Sequence, residues 1–531
     1  LLNSHNQEGL HCLLAPLRRE GENSSVFDGG DFGGRLSRFK GAWRKLGDLT
    51  ILRIVSQGLR VALTSFPLLT SAPPCSVSRN PVKREAIHLL VTDMVRGNII
   101  TPIPLSLLGV WSLIFLVPKP DGSWRLILDL SPFNPHVLLP TFQLTSLTDV
   151  ANAIEEGDEL ITLDLQRAYW HVPMAQSSRK FLCFRVGDKG YQFNVMPFGL
   201  SSAPFWFTRI IKPALALLHQ QGIKILSYID DFLIVAPPHL INSHALKAKE
   251  TLAELGFVVG IKSDLVPSQR KKFLGIEWDS TSCCSFIPHS KIIQLGADLH
   301  RSLETRSATR RQIECLLGKL NYFVGHCPLA KPRFWQLTRR VNQQFPVATR
   351  DLTRPLSNKI LDSISQLSLL DWSQGWPFRL EEAHLSMEVD ASDFGWGAVM
   401  EHQEIHGTWS HAWRQRSINA RELQAVLLSV RKWILQLRGK VVLVLSDSAV
   451  VGSVLRKRGS ARSPLLNSIY LAIEQLMFKF HFYIRQRHIA GKLNVQADAL
   501  SREHPLPAEW SLHPRVFSVI TTKFGMPEVD L

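Results

Sequence analysis

Three carboxylates set inside apolar runs constrain this chain more than any other feature of its sequence. Asp164 closes the run Ile161, Thr162, Leu163, and the pair Asp230, Asp231 interrupts an apolar stretch over 226–235. Short apolar runs of this kind predict β-strands. A buried carboxylate is costly unless it is paired or bound to a cation. Two acids in a hairpin turn, with a third from a neighbouring strand, could hold two Mg²⁺ ions. Such ions activate an attacking oxygen and stabilise a leaving oxygen in phosphoryl transfer. A lone Asp-Asp pair is more often a plain polar hairpin turn, so the surroundings have to decide.

A second set of acids has a different spacing. Alternation over 385–390 predicts a strand with Asp390 at its end, and 394–400 supplies a hairpin partner. Asn419 is a capping residue type ahead of the helical series Leu423, Val426, Leu427, Val430 and Ile434, which puts Glu422 in the first turn. There the helix dipole alone would favour a carboxylate. A buried-type strand over 441–446 runs into Asp447, and Asp498 follows near the end of the α/β pattern. Acids at two strand ends and two helix starts can converge on one edge, where two Mg²⁺ would direct water at a phosphodiester.

The charge balance gives both clusters a partner. The 531 residues hold 61 Lys and Arg against 45 Asp and Glu, a formal net charge of +16. A chain this basic meets polyanions. No apolar run approaches the ~18 residues of a membrane span, so nucleic acid is favoured over a membrane. Seven cysteines without a C-x-x-C pair suggest a reducing, intracellular setting, with neither a disulfide framework nor a zinc ribbon. The N-terminus does not look like a signal peptide, which fits a chain that is not secreted and that begins inside a longer reading frame.

At roughly 150 residues per domain, the length suggests three or four folding units. Residues 1–33 are expected to be a flexible lead-in. Residues 34–81 form a helical N-terminal extension, with Leu36, Phe39, Trp43 and Leu46 at helical spacing and a helix from Asp48 or Thr50 to Gly58. An α+β region covers 82–290, and a mainly helical one 291–383, where Thr309 caps a helix buried through Ile313, Leu316, Leu317, Leu320 and Phe323. Pro346, Pro355 and Pro377 punctuate a connecting segment. An α/β unit spans 384–503, and 504–531 is a tail.

The blocks WRLILDLSPFN, LDLQRAYWHV, FNVMPFGLSSAPFWF, YIDD, LGFVVGIKSDLVPS and FLGIEW stand in the order found in reverse transcriptases. Together they resemble that family's fingers and palm. The segments MEVDASDFGWGAVM, NAREL and NVQADALSRE resemble the ribonuclease H of retroelement polyproteins. The resemblance implies an α+β right hand (fingers, palm, thumb) followed by an α/β ribonuclease H-like domain. Asp164, Asp230 and Asp231 would bind one pair of Mg²⁺ ions, and Asp390, Glu422, Asp447 and Asp498 another, with Mn²⁺ a possible substitute. Tyr169 would be a steric gate against the ribose 2′-OH. Arg125 would pair with the triphosphate oxygens, a task suited to a planar guanidinium; Lys119 lies on the same predicted hairpin. Phe198 would line the nucleotide pocket, Lys262 protonate pyrophosphate, and Phe273, Leu274 and Gly275 belong to a primer grip.

The implied partners are RNA template, DNA primer, RNA/DNA hybrid and dNTPs. Arg270, Lys271, Lys272, Arg310, Arg311, Arg339, Arg340, Arg456, Lys457 and Arg458 are candidate phosphate contacts, though each basic cluster alone is more often a solvated face. His488 reads as a solvent-facing strand residue. The blocks GRLSRFKGAWRKLGD and SATRRQIECLLGKLNYF resemble DIRS-type retrotransposons, with a gypsy-type LTR element as second choice. In the DIRS group Asn usually follows the third ribonuclease H acid, where this chain has Ser448. Two alternatives stay open: a nuclease with a decayed palm, and a non-catalytic nucleic-acid-binding relic.

Overall fold

A computed structural model describes residues 32–73, 80–118, 122–345, 351–502 and 514–525. The chain divides into two units, Leu1–Ser285 and Phe286–Leu531.

The N-terminal extension is built into the core of the first unit. Its helical spacing becomes a 3₁₀ turn, Arg35–Phe39, running into a short helix, Lys40–Lys45. Helix α1 (Leu49–Gln57) starts where the Asp48 carboxylate accepts the Thr50 and Ile51 N–H groups, and ends at Gly58 with φ 86°. The buried Trp43 donates its indole N–H to the Leu255 carbonyl at 2.9 Å. Most of the expected flexible lead-in lies outside the described residues, but its end does not fit the expectation. Phe32 is buried with its ring 5.7 Å from that of His171, because an apolar ring gains more by covering the core than by staying in water.

Helix α2 (Pro81–Arg96) precedes a sheet ordered β1-β6-β5-β2-β3, formed by β1 (Ile100–Ile103), β2 (Trp111–Pro118), β3 (Trp124–Asp129), β5 (Cys183–Val186) and β6 (Lys189–Phe193). Lys119 and Asp121, between β2 and β3 in the chain, lie outside the described residues. A second sheet, ordered β7-β8-β4-β9, combines β4 (Glu159–Asp164), β7 (Lys224–Tyr228), β8 (Asp231–Ala236) and β9 (Asp264–Ser268). Residues 232–236 of β8 are all buried, the mark of a central strand covered on both faces. Helix α3 (Ala203–Gln220) packs on β7, and α4 (Ile241–Glu254) on β8 and β4. The hairpin β10 (Arg270–Phe273) to β11 (Ile276–Asp279) turns through Leu274 and Gly275, both at positive φ, the geometry that suits a two-residue hairpin.

The second unit opens with helices α5 (His289–Thr305), α6 (Arg310–Phe323), α7 (Ala330–Gln344) and α8 (Asn358–Ser368). Thr309 and Gln312 form a capping box at the start of α6, which buries Ile313, Leu316, Leu320 and Phe323 and leaves Leu317 partly exposed. Pro346 lies outside the described residues, and the segment expected to be a connection contains α8. Next comes a mixed sheet, ordered β14-β13-β12-β15-β16, of β12 (Leu385–Ala391), β13 (Gly395–Met400), β14 (Gln403–Thr408), β15 (Val441–Ser446) and β16 (Tyr483–His488). The β12–β13 and β13–β14 pairs are antiparallel, and β12–β15 and β15–β16 are parallel. Helices α9 (Ile418–Lys432), α10 (Ala449–Lys457), α11 (Pro464–Phe480) and α12 (Val495–Arg502) complete it.

One expectation needs correction here. Helix α9 begins at Ile418, with the Ser417 carbonyl accepting the Ala420 and Arg421 N–H groups, so Asn419 is inside the helix and does not cap it. Glu422 therefore stands beyond the first turn, and capping cannot explain it. Within the expected tail, Pro514–Phe524 is helical. Among the described residues Cys183, Cys283, Cys284, Cys315 and Cys327 form no disulfide, and no helix is long and apolar enough to cross a membrane.

Two carboxylate clusters as candidate active sites

Strand pairing builds the first cluster. Asp164, the last residue of β4, lies directly opposite Asp231, the first of β8, and the Leu165 N–H donates to the Asp230 carbonyl at 2.9 Å. Ile229 at φ 57° makes the turn that brings Asp230 round beside them. Burial pushes the Asp164 carboxyl up from its ordinary range, and Asp230 adds to the rise. Asp230 is raised chiefly by burial, against the favourable fields of Arg125 and Lys262. Asp231 keeps an exposed edge, yet the surrounding protein and then Asp230 and Asp164 push it up to about 6. Exposed Lys262 lowers all three and is the charge that partly balances them.

Tyr169, Phe198 and Arg125 form a stack beside these acids. The Tyr169 and Phe198 ring centroids are 5.2 Å apart, and the Arg125 guanidinium carbon lies 5.2 Å from the Phe198 centroid on β3's side. Tyr169 is buried; burial and the field of Asp230 hold its hydroxyl protonated, far above the ordinary range. Sequence reading missed two supporting residues. Ser263 Oγ accepts the Asp164 N–H at 3.0 Å, and the Gly260 N–H donates to the Asp164 carbonyl at 2.6 Å. A Cβ on Gly260 would stand 2.6 Å from Asp164 Oδ2, so only glycine leaves that carboxylate its place.

Side-chain tethers build the second cluster. Asp390 on β12 faces Gly397 of β13; Asp447 follows β15, Glu422 rides on α9, and Asp498 sits in the first turn of α12. Ser501 Oγ lies 2.7 Å from Asp390 Oδ2, and Arg502 donates to Asp498 Oδ1 through two nitrogens at 2.8 Å each. Burial raises Asp390, which also feels Asp447 and Asp498. Burial likewise raises Glu422; Ser448 offsets this by hydrogen bonding, while Asp447 and Asp390 repel it. Each acid is thus in the electrostatic reach of another.

The donor chemistry fits hard divalent cations, which take carboxylate oxygens. Glu422 Oε2 is enclosed without a hydrogen-bond partner, a position a cation would relieve. Among the described residues no three ligating side chains close into a preformed cage, so the fit rests on donor type and charge. Sequence reading noted Ser448 only as a departure from the DIRS pattern and missed Ser501, Arg502 and Gly491, whose added Cβ would lie 3.1 Å from Asp447 Oδ2. The i, i+3 and i, i+4 spacing of Ser501 and Arg502 from Asp498 was the available signal.

The basic residues sort differently from expectation. Arg458 is buried: it donates to Glu474 and to the Gly325 and Cys327 carbonyls, with its guanidinium 3.4 Å from the Trp376 centroid. It is a structural ion pair, whereas its neighbours Arg456 and Lys457 are exposed. Lys271 is likewise buried and paired with Asp264. His488 is exposed at the end of β16.

Residues 117–278 match the family described as reverse transcriptase (RNA-dependent DNA polymerase). Over 448 residues the chain is 22% identical to the enzymatic polyprotein of Figwort mosaic virus, covering 80% of this chain and 63% of that protein. It is 24% identical over 430 residues to the Tf2-3 transposon polyprotein of Schizosaccharomyces pombe, covering 75% and 29%. Residues 117–278 are thus similar to reverse transcriptases, and the longer chain is similar to a viral and a transposon polyprotein. It spans less than two thirds of either relative's length. Solved structures agree on the fold. The foamy viral protease-reverse transcriptase dRH in complex with double-stranded DNA matches with TM-score 0.52 and 16% identity, covering 90% of this chain and 84% of that one. The foamy viral protease-reverse transcriptase in complex with RNA/DNA hybrid gives TM-score 0.50 and 17% identity over 93% and 67%. The fold is therefore the α+β reverse-transcriptase fold with a C-terminal ribonuclease H-like mixed sheet. All the candidate residues of the first cluster and its stack lie inside the matched reverse-transcriptase segment; the second cluster lies beyond it.

Proposed function

We propose that the chain is an RNA-directed DNA polymerase that carries its own ribonuclease H. The observation that carries this is the facing of Asp164 and Asp231 across paired strands, with Asp230 adjoining and the Arg125–Phe198–Tyr169 stack beside them. In this reading 82–290 are fingers and palm, 291–383 thumb and connection, and 384–503 the ribonuclease H domain.

Asp164, Asp230 and Asp231 would hold one pair of Mg²⁺ ions, and Asp390, Glu422, Asp447 and Asp498 a second. When bound, such ions lower the charge barrier to bringing an oxygen nucleophile onto a phosphate and stabilise the leaving oxygen. The protein's own residues then divide the work. Arg125 presents a planar fork to the triphosphate oxygens of a dNTP. Phe198 floors the nucleotide pocket, and the buried Tyr169 ring crowds the position a ribose 2′-OH would need. Lys262, the exposed cation facing all three acids, gives a proton to departing pyrophosphate. In the second cluster the acids would set water against the RNA strand of an RNA/DNA hybrid, whose 2′-OH groups distinguish it from DNA. The two terminal blocks flanking the polymerase region favour a DIRS-type element acting inside the cell.

The test follows primer extension on an RNA template and template cleavage in one tube with Mg²⁺. Asp230→Asn/Asp231→Asn should stop extension alone, and Asp447→Asn should stop cleavage alone. A parent that cleaves without extending would be a nuclease with a decayed palm. A parent that binds hybrid and does neither would be a relic, and the proposal would fail.

A further inference from the structure

We propose that Ser501 is a positioning residue that ties Asp390 to the helix bearing Asp498, so that the two carboxylates meet a divalent cation as one unit. The inference rests on the nuclease reading of that cluster.

Ser501 is completely buried, its hydroxyl 2.7 Å from Asp390 Oδ2 and 2.9 Å from the Asp498 carbonyl. A buried hydroxyl without a partner destabilises a fold, so a serine here is favoured over alanine only through the bond it makes. The carboxylate is the stronger acceptor and accepts the hydroxyl's hydrogen bond. Ser501 grips the strand a second time: its own carbonyl accepts the Ser392 hydroxyl at 2.6 Å, two residues past Asp390. One helical residue therefore grips the chain at the acid and again just past the end of β12.

The strand opposite is shaped to let this happen. A Cβ on Gly397 would lie 2.4 Å from Leu500 Cβ and 2.8 Å from the Ser501 nitrogen, and one on Gly395 would lie 3.0 Å from the Ser501 carbonyl. Two bare α-carbons thus admit α12 to within reach of Asp390. Asp498, one turn earlier on the same helix, is steered from outside by Arg502, which is exposed. The two acids are fixed by unequal means. Asp390 is oriented by a buried hydroxyl, and Asp498 by an exposed cation that a metal would displace.

Outer partners of ligating carboxylates typically carry roughly 10- to 100-fold in metal affinity. The test uses the full chain with Asp230→Asn/Asp231→Asn, which leaves the second cluster as the acid site. Mg²⁺ is titrated calorimetrically without nucleic acid, and RNA-strand cleavage is followed over the same Mg²⁺ range. Ser501→Ala should weaken Mg²⁺ binding by roughly 10- to 100-fold, with most of the cleavage rate returning at saturating Mg²⁺. Ser501→Cys fills the same space with a poor donor; it should bind Mg²⁺ as weakly as the alanine variant while melting like the parent in EDTA. Ser501→Thr, which keeps the hydroxyl, should recover the affinity. If the parent cleaves and Ser501→Ala binds Mg²⁺ unchanged, the positioning role is wrong. If cleavage losses in Ser501→Ala and Ser501→Cys simply track their melting temperatures, Ser501 is packing alone. A parent that never cleaves overturns the nuclease reading and this inference with it.

Discussion

The first cluster is held by backbone and the second by side chains. In the first, the hydrogen-bonded ladder of β4 and β8 sets Asp164 opposite Asp231, and a slip of one residue in either strand would turn its acid to the other face. In the second, four acids come from two strands and two helices, with Ser501, Ser448 and Arg502 supplying the alignment. A ladder spreads positional control over many bonds; a tether concentrates it in one. The first cluster should therefore tolerate changes around it and fail only when an acid or its clearance is altered. The second should respond to single hydroxyls.

The largest effects test whether the clusters are independent. Asp164→Asn should reduce extension by at least about 10³-fold, several kcal/mol of lost charge stabilisation, and leave cleavage intact. Asp390→Asn should do the reverse. Rates measured on one hybrid substrate would expose any coupling, and a joint loss in either variant would break the comparison.

Clearance comes next. Gly260→Ala puts a Cβ 2.6 Å from Asp164 Oδ2, while the 2.6 Å hydrogen bond from Gly260 to the Asp164 carbonyl stops the backbones from parting. The carboxylate must move, and extension should fall by about 10²-fold at saturating dNTP. At Gly491 the corresponding distance to Asp447 Oδ2 is 3.1 Å, so a shift of a few tenths of an ångström suffices. Gly491→Ala should lower cleavage only several-fold. Equal losses at the two glycines would remove the difference in rigidity argued for the two sites.

Legibility in the sequence follows the same division. Asp164, Asp230 and Asp231 are visible because each interrupts an apolar run at the end of a strand, and strand periodicity survives in the sequence. Glu422 was visible as an acid but not in its setting: Asn419 has capping chemistry, yet the Ser417 carbonyl opens the helix two residues earlier. Ser501 was hidden, and the role of Ser448 with it, because a serine announces a polar surface or a cap, and only packing turns it toward a carboxylate. Arg456, Lys457 and Arg458 look alike in the sequence. Arg458 adopts φ 54° at the end of α10, and its side chain enters the protein toward Glu474 while its neighbours stay in water.

Ser448 offers a mid-sized test of the tethered site. Its hydroxyl accepts the Val451 N–H at 3.3 Å as an N-cap and also hydrogen-bonds Glu422. Ser448→Ala should cost about 1 kcal/mol of stability from the cap alone. Cleavage should fall further than that loss explains, as Glu422 loses its partner. Ser448→Asn restores both a capping oxygen and a donor and should recover most of each, measured by thermal melting and cleavage kinetics. If Ser448→Asn recovers the melt but not the cleavage, Glu422 is not oriented through this residue.

The smallest effect is electrostatic and belongs to the ladder-held site. Asp231 is pushed from its ordinary 3.8 up to about 6 by the protein around it and by two neighbouring carboxylates. Between those values the folded chain binds more protons than the unfolded one, so stability falls as pH rises through that window. Above about pH 6 the penalty is fully present; below about pH 4 both states are protonated and it vanishes. Asp231→Asn removes the charge. In EDTA at pH 7.5 the variant should be more stable than the parent by about 1 kcal/mol, a figure reduced for the exposed edge of the carboxylate. At pH 4 the two should melt together. Adding Mg²⁺ should reverse the order at pH 7.5, because a cation bound only by the folded parent stabilises it by mass action. The three acids titrate as a coupled group, so the midpoint belongs to the cluster and not to one residue. A parent melting profile flat between pH 4 and 6 in EDTA would mean that the ladder does not force these charges together.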